Sequence, residues 1–543
     1  LLYVHVGPVQ SFIAAARRTH DLWVGSFTVA YLTYIAVEQV AKCVGPDALV
    51  FPDLAYLPLS QQRLFSDNKK PESLTHASLS NKLLAIVPHQ HAEAIAREAV
   101  CAAQTEWKAM AKAAKAALER AYPKFSSSSD KWQEQVDAHL EIDVVIQPWP
   151  QDRERLHKLI SDIGLIPPEG PLSAQGHPDQ QSQLVGDFYG RLFDLSHRTM
   201  AAHRKTVFPQ FVPGDSRPKC IQCVRREQMG PIASPGQERQ QHRLSGTFFT
   251  ELSQALQKAQ GLDNDDDRLS LQLGSGEGLC AVCLVKRLAP KVYYGNREQS
   301  KLPIHWNDQN HRRYLRFPSV SSIASAPLCF VLGSVAQGKW DVPNTTKPIR
   351  EAIDKAIVDW RRSLDALCQK DALDFTHPGN LLAAFRDWEK DDTMGRLLAV
   401  DGSWLYPEFY VFDTVWRTHY PSGSSSTDGE DASRRERVRQ KLPPAGKCLE
   451  KVLKPIGCNP STYLAVLCMD VDMMGDWLTG KAAPKWREIV DGVQLDPRLG
   501  EQKRPLYPAL GADLSRRLGQ LATQTFLLIV EKGELRLGTW QSV

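Results

Sequence analysis

Two pairs of cysteines constrain the fold of this chain more than any other feature of its sequence. Cys220 and Cys223 form one CxxC pair, Cys280 and Cys283 form another, and 56 residues separate the two pairs. Two residues between cysteines let both thiolates face one ion from a tight turn, and four thiolates complete the tetrahedron that structural zinc prefers. A single CxxC pair is also typical of redox enzymes, but two pairs in one chain favour zinc. We therefore predict a structural zinc site that joins two distant segments.

The length and composition of the chain indicate a multidomain globular protein. Its 543 residues predict about three or four domains. The 66 basic and 62 acidic residues leave a net charge of +4, so any contact with a polyanion depends on local clusters. No apolar run approaches the roughly 18–20 residues of a membrane span, and no export signal is recognisable. With eleven cysteines, we expect a reducing, cytoplasmic environment and no membrane partner.

Hydrophobic spacing predicts the first elements of the chain. Leu1 to Val6 is apolar and predicts a buried strand; because the sequence opens inside this strand, we expect it to be trimmed. Ser11 to Trp23 and residues 91–122 have helical spacing. Residues 421–446 are rich in Ser, Gly, Asp and Arg, and this composition predicts a mobile linker.

Two carboxylates follow a short apolar strand later in the sequence. Tyr463 to Met469 predicts the strand, and Asp470 and Asp472 come directly after it. Residues two apart on an extended turn point to the same side, so both carboxylates can bind one Mg²⁺ together with substrate phosphates. Palm-type nucleotidyl transferases hold their metal in this way. Such a pair is common after strands, so the pattern alone does not identify an enzyme.

The first and the second strand–turn–helix units can be aligned without gaps. Setting Phe12 against Trp477 places His5 opposite Asp470, and both units have an apolar strand, a turn and an aromatic residue that opens a helix. If the units are two copies of one fold, the second alone has kept the carboxylates. A chance resemblance between the two segments is the alternative, and this comparison leaves it open.

A long motif near the start of the sequence identifies a family. Residues 7–26 read GPVQSFIAAARRTHDLWVGS and closely resemble the GPVQ-FI-AAR-T-DLW-GS signature of the Cmr-type large subunit, the Cas-ten-class subunit of type III-B CRISPR effector complexes. Three further stretches agree in order, at residues 279–287, 317–324 and 470–475. The resemblance covers nearly the whole chain.

The resemblance implies an α+β multidomain protein with two ferredoxin-like palm domains, related to cyclases and polymerases, and a helical zinc-binding region between them. On this basis we expect the first palm (a non-catalytic copy) with a helical insertion at 1–210, the zinc-binding region with its two CxxC knuckles at 211–290, the remainder of the first palm at 291–345, a helical domain and flexible linker at 346–455, and the second palm at 456–543. Within these 543 residues we expect the second palm to be incomplete, because the strand and helix that close a palm do not follow.

The resemblance also implies ligands and partners. ATP would lie between the palms with Mg²⁺ on the second, where Asp470 and Asp472 are the catalytic carboxylates and Asp470 is a magnesium ligand. The residues expected to line the nucleotide are Gln10, Ser11, Ser26, Val471, Met474 and Gly475. Such subunits assemble with other Cmr-type subunits and a guide RNA in antiviral defence. When target RNA binds, active members convert ATP into cyclic oligoadenylates.

The sequence departs from the family pattern in several places. The Gly-Gly-Asp-Asp hairpin of the cyclase is absent from these 543 residues, and Val471 stands where the family has glycine. Cyclic oligoadenylate synthesis is therefore expected if the full chain carries the hairpin. His20 and Asp21 are the one adjacent His-Asp pair, and without an accompanying His/Asp cluster they do not predict an HD nuclease.

Basic clusters at residues 311–316 and 434–439 are candidates for contact with RNA, although a solvated surface explains each of them equally well. Two other functions stay open at this point. One is a non-enzymatic scaffold subunit of the same complex with a degenerate palm. The other is a stand-alone zinc-containing nucleotidyl transferase.

Overall fold

The computed structural model shows an α-rich chain in which a small antiparallel sheet lies near the N-terminus. The residues that it describes are 1–17, 19–55, 57, 59–60, 79–149, 155, 158, 180–206, 217–234, 238–260, 273, 277–294, 319–336, 347–371, 400–419, 428–464, 474–478, 482–490, 497–501, 503–504 and 506–530.

The sheet contains the N-terminal strand, as the apolar pattern predicts. Its strands are β1 (Leu2–Gly7), β2 (Leu49–Phe51), β3 (Lys82–Ala85) and β4 (Glu141–Ile146), in the spatial order β2-β3-β1-β4. All neighbours are antiparallel, and β1 pairs with β4 from Leu2 opposite Ile146 to Gly7 opposite Glu141. Because helices connect β1 to β2 and β3 to β4, the chain follows the order β-α-β-β-α-β.

Helices make up most of the described structure. They are α1 (Gln10–Ile13), α2 (Thr19–Val44), α3 (Ala92–Ala121), α4 (Ser129–Asp137), α5 (Gln180–Thr206), α6 (Glu238–Gln260), α7 (Ala281–Ala289), α8 (Val320–Ala336), α9 (Lys347–Asp371), α10 (Phe412–His419), α11 (Asp428–Leu453), α12 (Met474–Leu478), α13 (Trp486–Ile489), α14 (Pro497–Gly500) and α15 (Pro508–Val530). A π-helical turn at Pro290–Tyr294 continues α7. Within the described ranges, no helix combines the length and the apolar character needed to cross a bilayer.

Two of the helix predictions have different outcomes. The helix predicted over residues 91–122 is confirmed as α3. The helix predicted from Ser11 to Trp23 is instead two helices, α1 and α2, separated by residues 14–18. At this break, carbonyl oxygens at the end of α1 accept hydrogen bonds from a lysine far along the sequence.

Both faces of the sheet are covered by helices. Leu2 and Val4 point to one face and pack in an apolar cluster with side chains of α2 and α3. Tyr3 points to the opposite face and packs with residues of α5, among them Phe193. Because helices cover both faces, the side chains on both sides of β1 are buried. This explains the hydrophobic run in the sequence of the strand.

A buried carboxylate joins α2, α3 and the turn after α7. Glu106 is 2% exposed, and its Oε1 accepts hydrogen bonds from the hydroxyls of Tyr31 at 2.5 Å and Tyr293 at 2.6 Å. The surrounding apolar cluster contains side chains from α1 to α4, from both cysteine pairs and from residues 281–294. The cysteine region is thus packed into the core of the N-terminal unit.

A second apolar cluster is formed by α8 to α11. It includes Trp360 of α9, whose indole N–H donates to the Tyr410 hydroxyl at 2.7 Å. The mobile linker predicted at 421–446 is not observed in its described part, because α11 runs from Asp428 to Leu453. The prediction considered local composition, whereas Val438, Leu442 and other apolar residues of this segment are buried against the cluster.

Two arginines of the basic cluster at 434–439 lie over aromatic rings of α10. The guanidinium carbon of Arg435 is 5.1 Å from the ring centre of Trp416, and that of Arg439 is 4.7 Å from the ring centre of Phe412. These contacts attach α10 to α11. The other cluster, at 311–316, lies outside the described residues.

The helix α15 packs against β2 at the edge of the sheet. The Asp53 amide donates to the Ser515 hydroxyl at 3.0 Å, and Arg516 Nη2 lies 3.0 Å from Asp53 Oδ2. A Cβ on Gly511 would lie 3.0 Å from the Val50 side chain, so a glycine lets the helix approach the strand closely. A segment from the end of the sequence therefore covers the first sheet.

Candidate metal centre and candidate nucleotide site

Four thiols from the two cysteine pairs converge, as the sequence predicts. The Sγ atoms of Cys220, Cys223, Cys280 and Cys283 all lie within 4.8 Å of one another, and Cys223 Sγ is 3.7 Å from Cys280 Sγ. In a tetrahedral site with Zn–S bonds of about 2.3 Å, neighbouring sulfurs are about 3.8 Å apart. The four thiols could therefore hold a metal ion such as zinc. The identity of the ion stays a prediction.

The first cysteine pair occupies a tight turn. The Val224 amide donates to the Cys220 carbonyl at 2.9 Å, and the Cys220 amide donates to the Arg226 carbonyl at 2.7 Å. Val224 has a φ of 56°, a left-handed conformation that β-branched residues rarely adopt. The hydrogen bonds of the turn therefore hold Val224 in a backbone conformation that valine does not favour.

The second cysteine pair lies at the start of a helix. Cys280 immediately precedes α7 and Cys283 lies in its first turn, where the positive end of the helix dipole stabilises thiolates. Gln135 of α4 supports this end, because its Oε1 accepts a hydrogen bond from the Ala281 amide at 2.9 Å. Both thiols of this pair are thereby aimed from a fixed helix end.

Backbone hydrogen bonds join the two pairs. The Ile221 amide donates to the Gly278 carbonyl at 3.0 Å, and the Met229 amide donates to the Leu279 carbonyl at 2.9 Å. A Cβ at position 278 would lie 2.1 Å from the end of the Gln228 side chain, so a larger residue there would displace Gln228 from its hydrogen bond to the Lys219 carbonyl. The close approach of the two segments thus depends on the backbone as well as on the thiols.

The thiols of the cluster differ in pKa. Hydrogen bonds from Cys220 and from the other thiols hold the pKa of Cys223 far below its usual range. Burial raises the pKa of Cys280. The four thiols lie together in a buried site, which agrees with the ligand set of structural zinc.

Lys286 of α7 holds the end of α1. Its Nζ donates to the carbonyl oxygens of Phe12 at 2.6 Å, Ala15 at 2.8 Å and Ile13 at 3.3 Å. Carbonyls at a helix C-terminus lack intrahelical partners and favour a cation. Burial lowers the pKa of Lys286 to about 8, and the three acceptors replace the water that the ammonium group loses.

Arg287, the next residue, holds the start of α2. Its guanidinium forms a bidentate pair with Asp21, with distances of 2.6 and 2.7 Å, and further bonds to Glu277 at 3.1 Å and Gln222 at 3.0 Å. Burial opposes ionisation of Asp21, but a hydrogen bond from His20 and the charge of Arg287 hold its pKa well below the usual range. Arg287 and Asp21 therefore form a fully buried ion pair.

The predicted nucleotide residues of the first unit lie on the two elements held in this way. Gln10 is exposed and Ser11 half-buried in α1, and Ser26 is exposed on α2. Gly25 precedes Ser26, and a Cβ there would lie 2.8 Å from Lys286 Cε and 3.2 Å from Ile13 Cα. This glycine permits α2 to lie close to the end of α1.

The predicted residues of the second unit are described only in part. Asp470, Val471 and Asp472 lie outside the described residues, so their role as metal and nucleotide ligands stays a prediction. Met474 and Gly475 begin α12, and Gly475 is exposed.

Sequence reasoning did not identify Lys286 and Arg287 as functional residues. The signal was present, because two cations follow a CxxC pair inside the apolar stretch of α7 and both are 1% exposed. Buried cations need partners. The partners that join these cations to α1 and α2, however, are residues 12–15 and Asp21, more than 260 positions away in the sequence.

The residue opposite Asp470 in the alignment of the two units is part of a charged cluster at the end of β1. His5 Nδ1 lies 3.5 Å from Asp143 Oδ2, and Arg204 Nη1 of α5 lies 3.2 Å from His5 Nε2. Burial, and after it the charge of Arg204, lowers the pKa of His5 to about 4. An imidazole and a guanidinium thus occupy the strand end that corresponds to the carboxylate turn.

We expect His5 to make the protein less stable in acid. An unfolded histidine titrates near pH 6.5, so between pH 6.5 and 4 the unfolded chain binds more protons and the free energy of unfolding falls as the pH falls. Between pH 6.5 and 4, His5 should lower the free energy of unfolding by about 2 kcal/mol, after a reduction for solvent screening. Thermal unfolding across this range should show a smaller pH dependence for His5→Gln than for the unsubstituted protein. Equal slopes would contradict the assignment, and replacing the exposed His89 is the control.

Comparisons with known proteins match the N-terminal region. A family model described as the N-terminal part of CRISPR-associated protein Cmr2 matches residues 1–112. The Cmr subunit Cmr2 of the CRISPR system of Pyrococcus furiosus is 38% identical over 98 residues, which are 18% of this chain and 11% of that protein. These matches confirm the family resemblance of the motif at residues 7–26, and the matched segment is a small part of the relative.

Two solved structures contain chains with a distant likeness. One is the type III-B Cmr-beta complex bound to cognate target RNA, with a TM-score of 0.41, and the other is Cmr-beta in the apo state, with a TM-score of 0.40; both chains are 12% identical. Each likeness covers 96% of this chain, which spans 57% and 56% of those chains.

Proposed function

Residues 1–112 match the model of the Cmr2 N-terminal family, and from this match we propose that the chain is the large subunit of a type III-B CRISPR effector complex. The observation that carries the proposal is the identity of 38% over 98 residues to a Cmr subunit. In this role the chain assembles with other Cmr-type subunits, a guide RNA and a target RNA, and acts in antiviral defence in the cytoplasm.

In this proposal the N-terminal sheet belongs to the first palm. The β-α-β-β-α-β order and the antiparallel arrangement β2-β3-β1-β4 support it, because they are those of a ferredoxin-like domain. The covering of both sheet faces and the basic groups around His5 agree with a non-catalytic copy. The four cysteines would hold a structural zinc ion, which leaves no open coordination position for chemistry.

ATP would bind between this palm and the second one. Gln10 and Ser11 on α1 and Ser26 on α2 offer polar groups at the surface of the first unit, which supports a role in lining the nucleotide. In the second unit Asp470 and Asp472 would bind Mg²⁺, with Val471, Met474 and Gly475 beside the nucleotide. When bound, Mg²⁺ would neutralise charge on the triphosphate. Synthesis of cyclic oligoadenylate requires that the full chain carry the Gly-Gly-Asp-Asp hairpin.

The test uses the assembled complex with its guide RNA. We expect cyclic oligoadenylates, identified by mass spectrometry, when the complex meets Mg²⁺, ATP and cognate target RNA. Asp470→Ala should abolish the product while assembly persists, because it removes a metal ligand. Asp513→Ala is the control, since Asp513 pairs with Arg517 at the surface. Loss of assembly in Asp470→Ala would instead give Asp470 a structural role.

A scaffold without catalysis is the second candidate. The observation that favours it is Val471, which stands where the family has glycine. If the complex binds guide and target RNA but forms no product from ATP, the scaffold function is the correct one.

A further inference from the structure

Two consecutive side chains of α7 bind the two elements that carry the nucleotide residues of the first unit. Lys286 donates to three carbonyl oxygens at the end of α1, within five residues of Gln10 and Ser11. Arg287 pairs with Asp21 in the first turn of α2, five residues before Ser26. The relative position of α1 and α2 is therefore set by one short helix.

Further contacts come from the same region. Gln222, between the cysteines of the first pair, donates from Nε2 to the Ala15 carbonyl at 2.9 Å. In return Arg17 Nε donates to the Ile221 carbonyl at 3.1 Å. The segment after α1 is thus held from both cysteine pairs, although it lies more than 200 residues before them in the sequence.

The geometry of α7 connects these contacts to the cysteines. Cys283 precedes Lys286 by three residues and Arg287 by four, a spacing that places all three on one side of a helix. Lys286 also lies over the Phe12 ring, with Nζ 4.9 Å from its centre, and Gly25 leaves room for its methylene groups. Lys286 is enclosed by α1 and α2 and has little freedom to move.

We propose that Lys286 and Arg287 are positioning residues for ATP binding: they fix α1 and α2 so that Gln10, Ser11 and Ser26 face the nucleotide together. This inference rests on the proposed function, since it assigns a role toward the same ATP site. Neither residue contacts the nucleotide; each acts through the backbone or the helix that it holds. Small displacements of binding groups have large effects on affinity and rate.

The test measures binding of a non-hydrolysable ATP analogue with Mg²⁺ to the assembled complex by calorimetry. Lys286→Met keeps most of the side-chain volume and removes the three hydrogen bonds. Gly25→Ala keeps the lysine but displaces its side chain from the end of α1. It is the alternative test if Lys286→Met does not fold. We expect each to weaken binding about 10-fold. Lys131→Met and Gly246→Ala are the matched controls, because Lys131 is a half-buried lysine that pairs with Glu134 and Glu227 and not with α1 or α2, and a Cβ at Gly246 meets no atom within 4 Å.

A double-mutant cycle separates positioning from a general loss of stability. If Lys286 acts through α1, the double variant Gln10→Ala, Lys286→Met should bind no more weakly than the weaker single variant, whereas independent effects would multiply. Metal content should be unchanged in every variant. Multiplying effects, or normal binding by Lys286→Met, would overturn the inference. If the unsubstituted complex does not bind the analogue, or Gln10→Ala has no effect while Lys286→Met does, the proposed nucleotide site itself is wrong.

Discussion

Replacing Cys280 with serine should release the bound metal ion and unfold the region around α7, with a loss of at least about 4 kcal/mol in the free energy of unfolding. The Cys280 thiol is fully buried among the other three, so a hydroxyl in its place is a poor zinc ligand and lacks water. Because the thiols share an apolar core with α1 to α4, the damage should spread beyond the cysteine region. Elemental analysis gives the metal content, and thermal unfolding gives the stability.

The control for Cys280→Ser is Cys329→Ser, at a buried thiol in the second apolar cluster. This control introduces the same buried hydroxyl but should leave the metal content unchanged. A Cys280→Ser protein that keeps its metal would show that the four thiols do not act as one ligand set.

We expect Arg287→Met to lower the free energy of unfolding by about 3–5 kcal/mol. The substitution keeps an apolar stem in the core and leaves the carboxylates of Asp21 and Glu277 without the guanidinium that they bind. Asp21 is fully buried, so water does not replace the lost guanidinium, and only its contact with His20 is kept. Chemical denaturation measures the free energy of unfolding, and Arg517→Met, at a surface pair with Asp513, should change it by less than about 1 kcal/mol.

A second substitution tests whether the loss comes from the ion pair. Asp21→Asn removes the charge that Arg287→Met leaves behind, so the double variant should be more stable than the sum of the two losses implies. Additive losses would mean that Arg287 stabilises the core by its volume and not by its charge.

The sequence predicted those features that depend on neighbouring residues. The apolar run of β1 and the alanine-rich periodicity of α3 were recognised, because strands and helices have their own hydrophobic spacing. The convergence of four thiols was also predicted, since the chemistry of the cysteine pairs requires it. Periodicity failed at α11, where a polar, proline-containing segment is helical because a few apolar side chains are buried against distant helices.

The contacts that hold the elements with the proposed nucleotide residues could not be predicted from local patterns. Lys286 binds the end of α1 and Arg287 binds the start of α2, in both cases across more than 260 residues. Gly25 and Gly278 each permit a close approach that only the folded chain reveals. The family resemblance indicates the candidate residues, whereas the contacts that hold their helices are visible only in the folded chain.

The packing of α15 on β2 has a consequence for the synthesis of the protein. The bond between Asp53 and Ser515 joins residues 462 positions apart, and a ribosome adding about 5–20 residues per second needs roughly half a minute to a minute and a half for that distance. During this interval the nascent chain exposes β2, an edge strand that could pair with strands of other chains. Chaperones or early partner subunits that bind this edge would protect the chain until α15 emerges.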